Sequence, residues 1–240
     1  MHLLDAVVGG FLIKLYQAIG LSSGEAGMQA TAVDHAFALE LLVAAALIAF
    51  FVLVRMTLSI ERPNPVQQVA EMIHEFVGGQ ADQVIGHGYE RFQAYVTCIF
   101  LFILFSNFLG LIPGVETPTA QPVVPLGLAV LTFLYYNFHG VRVHGPLGYL
   151  KTFAGPVWWM SPLLFPVEII SHLARMMSLT IRLYANMLAS DLLTLICFSM
   201  LPVVAPTIFL GLHFAVSIIQ AYVFMLLSII YLSMAVSHEH

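Results

Sequence analysis

Four charged residues, one histidine and one asparagine interrupt a stretch of the chain that is otherwise apolar enough to cross a bilayer. They are Glu168, His172, Arg175, Arg182, Asn186 and Asp191. At about 100° per residue, the first five fall within roughly 80° of one another on a helix, whereas Asp191 points away from that face. An arginine at mid-membrane depth costs about 3 kcal/mol on insertion scales, so such residues normally face a bundle interior or a water-filled cavity. We therefore predict a membrane helix with one polar face.

The ionisable groups on this helix suggest proton chemistry. Arginine stays protonated in proteins, so Arg175 and Arg182 are fixed positive charges that cannot carry a proton. Glu168, His172 and Asp191 can take up and release protons in suitable surroundings. The pattern predicts a proton relay beside a fixed charge. The alternative is an internal salt-bridge network that only holds helices together.

The composition indicates an all-α integral membrane protein. The chain is 60% hydrophobic and only 9% charged, and its mean hydropathy of +0.93 lies outside the range of ordinary soluble domains. Several apolar runs approach or exceed the roughly 20 residues that a helix needs to cross the hydrocarbon core. Such runs favour a helical bundle over a barrel of alternating strands.

Five of these runs are predicted to span the membrane within a single membrane domain that covers residues 1–240. The predicted spans are residues 35–59, 92–112, 126–138, 160–200 and 207–237. Residues 1–34 are expected to form an interfacial or periplasmic segment, and residues 139–156 an exposed loop. The fourth span is longer than an upright crossing requires, so we expect it to be strongly tilted and packed against the fifth.

One further helix is predicted to lie on the membrane surface. Residues 66–85 carry apolar side chains at three- and four-residue spacing, with glutamine and glutamate between them. This spacing gives one apolar and one polar face, which is typical of an interfacial amphipathic helix rather than a span.

The distribution of basic residues predicts the orientation. With five crossings, the termini lie on opposite sides of the membrane. The basic residues on the C-terminal side are Arg55, Arg62, Arg91, Arg142 and Lys151, against Lys14 alone on the other side. The positive-inside rule therefore places the C terminus in the cytoplasm and the N terminus in the periplasm.

The fifth span adds a second polar face. His213, Ser217 and Gln220 are spaced at i, i+4 and i+7. Because this span runs antiparallel to the fourth, we expect His213 at the depth of Asp191, and Gln220 nearer Arg182 and Asn186. This arrangement predicts two offset polar pockets separated by an arginine. The alternative for the histidine alone is a hydrogen bond between helices.

Three segments resemble subunit a of F-type ATP synthases. They are IRLYANMLASD from Ile181 to Asp191, LHFAVSIIQAYVFM from Leu212 to Met225, and the ending IIYLSMAVSHEH. The resemblance extends more loosely over about 85% of the chain, from the first span onwards. It implies a proton-translocating stator in the F0 part of a membrane complex. We expect a bacterial inner membrane, and the sequence leaves bacterial and organellar origins both open. The implied partners are a ring of c subunits, the peripheral-stalk subunit b, other F0F1 subunits and membrane lipids.

The resemblance also implies residue roles. Arg182 matches the family's essential arginine, which faces the carboxylates of the c-ring and prevents protons from short-circuiting. The positions that match the half-channel open to the periplasm are Asn186, Asp191, His213 and Gln220, with Ser217 on the same face. Those toward the cytoplasmic exit are Glu168 and its neighbours His172 and Arg175.

The chain departs from the family pattern at two places. Pro118 to Val123 resembles the family's Pro-Thr-Ala-Asp-x-Asn segment, but Gln121 and Val123 replace the Asp and the Asn. Gly110 stands where some members have an acid. We therefore expect Asp191 and His213 to carry the periplasmic half-channel.

Some kinds of chemistry are not expected in this chain. It has no phosphate-binding P-loop, so ATP chemistry must occur elsewhere in the complex. Cys98 and Cys197 lack metal-ligand spacing and are expected to be buried structural thiols. We expect no cofactor, no metal and no nucleic-acid partner, and the sequence leaves H⁺ and Na⁺ both open as the transported ion.

Two other functions fit the polar helix. One is a stand-alone ion-coupled secondary transporter, although we see no internal repeat of the kind such transporters use. The other is a purely structural membrane subunit in which the polar face holds helices together.

Overall fold

The computed structural model describes residues 27–59, 64–112, 117–154, 161–200 and 204–236. These residues form α-helices and one short 3₁₀ helix, and no strand occurs among them. The helices are α1 Gly27–Met56, α2 Pro65–Ile85, α3 Glu90–Leu109, α4 Val123–Ala154, α5 Ser161–Met200 and α6 Val204–Val236, with the 3₁₀ helix at Pro118–Ala120.

Five of the helices are long and apolar enough to cross a membrane, which confirms the predicted fold class. The candidate spans are Leu39–Met56, Glu90–Leu109, Val123–Gly145, Leu164–Cys197 and Thr207–Val236. They belong to α1, α3, α4, α5 and α6. The chain is therefore a multi-pass membrane protein.

Helix α2 is the predicted amphipathic helix and is not among the five candidate spans. It begins at Pro65, whose ring fixes a helical φ, and ends at Ile85. Gly86 follows, and its φ of 74° is readily adopted only by glycine. Val77 and Ala81 are fully buried, whereas Val66 and Met72 are exposed. This helix therefore packs against α3 and α6 with one face and leaves other apolar side chains at the surface.

The core of the bundle lies between α3, α5 and α6. Its fully buried side chains include Ile103 from α3, Met187 from α5 and Met225 from α6. Side chains on the outer faces are largely apolar and exposed, as expected for helices surrounded by lipid. The prediction of two buried thiols is wrong, because Cys98 is exposed on the outer side of α3 and Cys197 is half-buried.

The prediction of a loop at residues 139–156 is also wrong. Helix α4 continues to Ala154, with an interruption at Gly145, where φ is 73°. His139 and His144 lie in the continued part, and their Nδ1 atoms contact the carbonyl oxygens of Tyr135 and Gly140 one turn earlier, at 3.0 and 3.3 Å. Polar residues indicated a loop here, but they are compatible with a helix that emerges from the membrane.

The N-terminal boundary differs from the prediction as well. Helix α1 begins at Gly27, so the end of the predicted N-terminal segment is helical. Most of that segment, residues 1–26, lies outside the described part of the chain.

Helix α5 is the longest described element and carries the polar face. It packs against α4, α6 and the 3₁₀ helix. Its candidate span has 34 residues, which corresponds to about 51 Å at a rise of 1.5 Å per residue, compared with about 30 Å of hydrocarbon. The strong tilt predicted for this helix would accommodate that excess, and it stays a prediction.

Candidate functional site

Two polar clusters lie on either side of Arg182 along α5. The Glu168 cluster consists of Glu168, His172 and Arg175 from α5 with Tyr136 from α4. The Asp191 cluster joins Asp191 to residues from three other elements, namely Asn107, Thr117, Thr119, His213 and Ser217. Arg182 contacts neither of them.

The Glu168 cluster is an ion-pair network at half-buried positions. Glu168 Oε1 lies 3.4 Å from His172 Nε2 and 3.9 Å from Arg175 Nη2. The other ring nitrogen of His172, Nδ1, lies 2.9 Å from the hydroxyl of Tyr136. The Arg175 guanidinium also lies 5.8 Å from the centre of the Tyr231 ring on α6, a cation–π distance. The cluster therefore connects α4, α5 and α6.

The Asp191 cluster is centred on a buried histidine. Asp191 Oδ1 accepts a hydrogen bond from Thr117 Oγ1 at 2.9 Å and lies 3.4 Å from His213 Nδ1. The His213 side chain is 1% exposed and that of Asp191 is 26% exposed. Within the described residues, neither ring nitrogen of His213 makes a hydrogen bond, and Nδ1 has only the 3.4 Å contact with Asp191. A buried polar atom without a partner is costly, so a water molecule or a transferred proton would be stabilised at Nε2.

A chain of hydrogen bonds within the Asp191 cluster connects the 3₁₀ helix through α3 to α6. Thr119 Oγ1 donates to Asn107 Oδ1 at 2.6 Å, and Asn107 Nδ2 donates to the carbonyl of Ser217 at 3.3 Å. Ser217 Oγ in turn donates to the carbonyl of His213 at 2.8 Å. These side chains are fully buried. The 3₁₀ helix and α3 therefore fix the register of α6 next to Asp191.

Gly110 provides the space for this arrangement. A Cβ at Gly110 would overlap the Thr117 hydroxyl and would lie 3.2 Å from His213 Cε1. The absence of a side chain therefore allows Thr117 and His213 to approach the end of α3 together. Gly110 is one of the two departures from the family pattern, and its role here is one of close packing.

Arg182 is half-buried between the two clusters. Its Nη2 lies 3.5 Å from Ser178 Oγ one turn earlier. Within the described part of the chain, no carboxylate lies within ion-pair distance of its guanidinium. Its positive charge is therefore not neutralised by the described residues of its own subunit.

The predicted site residues Asn186 and Gln220 belong to neither cluster. Asn186 is exposed on α5, and Gln220 is buried on α6. Among the described residues, no hydrogen bond connects Gln220 with Arg182 or Asn186. The roles that the family resemblance implies for these two residues are therefore not visible as contacts within the chain.

Sequence reasoning missed four members of the clusters. Asn107 was visible as a polar residue in a span, but Thr117 and Thr119 lie in a connection whose path the sequence does not reveal. Tyr136 is one of two adjacent tyrosines in a span. Helical periodicity alone could not indicate which of the two contacts α5.

Comparison with known proteins settles the family. The family model described as ATP synthase A chain matches residues 37–233. The ATP synthase subunit a of Koribacter versatilis (strain Ellin345) is 50% identical over 208 residues, which are 87% of this chain and 85% of the relative. The chain belongs to the ATP synthase subunit a family.

Other members of the subunit a family support the same assignment. The protein of that name from Solibacter usitatus (strain Ellin6076) is 44% identical over 84% of this chain and 87% of its own length. The one from Bdellovibrio bacteriovorus (strain ATCC 15356 / DSM 50701 / NCIMB 9529 / HD100) is 41% identical over 72% of this chain and 75% of its own length. The segments that suggested the subunit a family lie mostly within the matched region.

Proposed function

We propose that this chain is the proton-translocating stator subunit of F0, with two offset half-channels that lead to and from the carboxylates of a c-ring and are separated by Arg182. Membership in the ATP synthase subunit a family supports the stator role in ATP synthesis and proton transport. The observation that carries the finer proposal is the position of Arg182, which lies between two acid–histidine clusters without an acid partner of its own among the described residues.

The spacing along α5 supports two separate half-channels. His172 lies ten residues before Arg182, and Asp191 lies nine residues after it. At a rise of about 1.5 Å per residue, these separations are roughly 15 and 14 Å. A proton cannot jump over such distances in a single step, and in this proposal a carrier outside the chain connects the two clusters.

The surface around Arg182 suits a neighbouring helix. The exposed small residues Ala174, Ser178, Ala185 and Ala189 share one face of α5. Together with Arg182 they fall within roughly 80° of one another at 100° per residue. Small side chains let helix backbones approach closely in membranes. Half of the residues in the span Leu164–Cys197 are exposed, so a large part of α5 is open to lipid or to a partner.

The mechanism follows from the cost of charge in lipid. A ring carboxylate that faces lipid must be protonated, because its ionised form is strongly disfavoured there. Beside Arg182 the ionised form is stabilised, so the carboxylate releases its proton on one side of the arginine and takes up another on the opposite side. The Asp191 cluster would exchange protons with one aqueous phase, and the Glu168 cluster with the other.

The membrane potential supplies the energy in this mechanism. Each proton that crosses contributes about 2.3 kcal/mol per 100 mV. The positive-inside rule assigns the Glu168 cluster to the cytoplasmic side and the Asp191 cluster to the periplasmic side. The bacterial relatives support a location in a bacterial inner membrane, with subunit b and the remaining F0F1 subunits as further partners.

Substitution of Arg182 by Ala tests the proposal. The assembled F0F1 complex with Arg182→Ala is expected to lose ATP-driven proton pumping into inverted vesicles while it assembles normally. Pumping is measured by quenching of a pH-sensitive dye, and assembly by native gel electrophoresis. Arg175→Ala is the matched control, because this arginine already pairs with Glu168 and its loss should reduce pumping only in part.

Other outcomes would favour the alternatives. Loss of assembly alone in Arg182→Ala would indicate a structural role for the polar face. Uptake of a small anionic solute that depends on Arg182 and needs no c-ring would indicate a secondary transporter. Normal pumping in Arg182→Ala would contradict the proposed separation of the half-channels.

A further inference from the structure

A third polar site lies away from the Glu168 and Asp191 clusters, where the turn between α2 and α3 meets α4 and α6. It is a cavity of about 730 Å³, which is within the range of roughly 300–1,000 Å³ that small-molecule sites occupy. Two arginines and two histidines line it, namely Arg91, Arg142, His87 and His139. Ile85 and Phe92 form part of its apolar wall.

The described residues that line this cavity do not balance its charge. They include no aspartate and no glutamate. Among the described residues, neither Arg91 nor Arg142 lies within ion-pair distance of a carboxylate. Two guanidinium groups that face the same cavity repel one another, and a bound anion would remove that repulsion. Both arginines are exposed and are therefore accessible to a ligand.

The position of the cavity relates it to the membrane surface. Arg91 is the second residue of the span Glu90–Leu109, and Arg142 lies near the end of the span Val123–Gly145. Val236, which also lines the cavity, is the last residue of the span Thr207–Val236. Three spans therefore reach the same membrane boundary at this site. That boundary is the depth of lipid headgroups.

We propose that this cavity binds the phosphodiester headgroup of an anionic phospholipid. Arginine binds phosphate oxygens through two parallel N–H donors, and His87 in the turn between α2 and α3 can add a further donor. The Nδ1–H of His139 is already donated to the carbonyl of Tyr135. Basic pockets between membrane helices at the cytoplasmic surface suit such headgroups. The apolar wall next to the charged groups favours a lipid over free phosphate, because it can cover the glycerol and the first part of an acyl chain. The site does not depend on the proposed proton path.

A matched pair of valines on α4 tests this proposal. Val143 lines the cavity and is 37% exposed, whereas Val141 does not line it and is 38% exposed. Val143→Glu places a carboxylate next to the arginines, and Val141→Glu adds the same charge at nearly the same depth outside the cavity. The assembled complexes are reconstituted into vesicles of equal parts phosphatidylcholine and phosphatidylglycerol, extracted in detergent, and analysed for bound lipid by native mass spectrometry.

The unmodified complex and Val141→Glu are expected to retain phosphatidylglycerol. Val143→Glu is expected to retain at most about one fifth of the amount bound to the unmodified complex. Equal retention in the two variants would overturn the proposal. Arg91→Gln with Arg142→Gln should give the same loss, while Arg55→Gln at the end of α1 should not. If the double variant does not assemble, the valine pair decides.

Inorganic phosphate distinguishes a lipid from a soluble anion. The same extraction is repeated in excess inorganic phosphate. A parallel sample is extracted in sodium chloride at the same ionic strength. A bound lipid should remain, because its acyl chains contribute to binding. Loss of phosphatidylglycerol in phosphate but not in chloride would show that the cavity takes a soluble phosphate, and this result would overturn the lipid proposal.

Discussion

The two halves of α5 each hold an acid next to a histidine, and the surroundings of the two pairs differ. At the Glu168 cluster, the Glu168 side chain is 40% exposed, and a second cation, Arg175, lies 3.9 Å from its carboxylate. At the Asp191 cluster, His213 is 1% exposed, and the acid is held by the neutral hydroxyl of Thr117. The Glu168 carboxylate is partly open and has two cationic or titratable partners, whereas the Asp191 carboxylate is partly buried beside an enclosed histidine.

This difference affects how each cluster tolerates the loss of its acid. Exposed ion pairs contribute about 0.2–1 kcal/mol, because water replaces a lost partner. The enclosed His213 has no such replacement, and leaving a buried polar group without its partner costs about 1–3 kcal/mol. We therefore expect proton transport to depend more strongly on Asp191 than on Glu168.

The largest effect is expected for Asp191→Asn. The change keeps the size of the side chain and removes the only described acid beside His213. ATP-driven proton pumping should fall by at least about tenfold, which corresponds to about 1.4 kcal/mol. Asp191→Glu is the control and should retain most of the activity because it keeps the acid. Pumping above half of the unmodified rate in Asp191→Asn would remove the proposed distinction between the clusters.

The next effect is expected for Gly110→Ala. The added Cβ would overlap Thr117 and crowd His213, and such overpacking costs about 1–3 kcal/mol. Proton pumping should fall several-fold, and the thermal stability of the assembled complex should decrease. Gly127→Ala is the matched control, because a Cβ at Gly127 would meet no atom within 4 Å. Identical melting and pumping in the two variants would show that Gly110 is not needed for close approach.

A smaller effect is expected for Glu168→Gln. The carboxylate is partly exposed, so water can take over part of its role. Pumping should fall by about two- to fivefold, in line with the contribution of a partly exposed ion pair. The measurement is the initial rate of dye quenching at matched amounts of assembled complex. A loss as large as that of Asp191→Asn would mean that the two clusters are equally sensitive.

The smallest effect is expected for Tyr136→Phe, which removes the hydroxyl that lies 2.9 Å from His172 Nδ1. For this part-buried hydrogen bond we expect the low end of the usual contribution, about 0.5 kcal/mol, so pumping should fall by about two- to threefold. Tyr135→Phe is the control, because Tyr135 interacts through its ring, which stacks on Tyr95 at 3.6 Å. Equal rates in the two variants would show that the Tyr136 hydroxyl does not assist His172.

The sequence predicted the parts of this molecule that depend on hydrophobicity and helical period. The five spans follow from the length of apolar runs, and α2 follows from its alternating faces. Since the fourth and fifth spans are antiparallel neighbours, the sequence also indicated that His213 would lie near Asp191, and the two atoms Nδ1 and Oδ1 are 3.4 Å apart.

The parts that could not be predicted depend on how segments meet in space. Thr117 reaches Asp191 because the connection before α4 folds back against α3 and α5, which no period in the sequence encodes. The extension of α4 past residue 138 was missed because charged and aromatic residues at a membrane boundary are equally compatible with a loop and with an emerging helix. The space at Gly110 became apparent only with Thr117 and His213 in place.

The attachment of α2 to α6 has a mechanical consequence. Tyr222 on α6 donates a hydrogen bond to Gln80 Oε1 at 3.2 Å and contacts the ring of Phe76, while Ser233 donates to the carbonyl of Val84 at 2.9 Å. In the proposed complex, a sideways force from the ring on α5 would pass through α6 into α2. The amphipathic helix would then brace α6 against displacement.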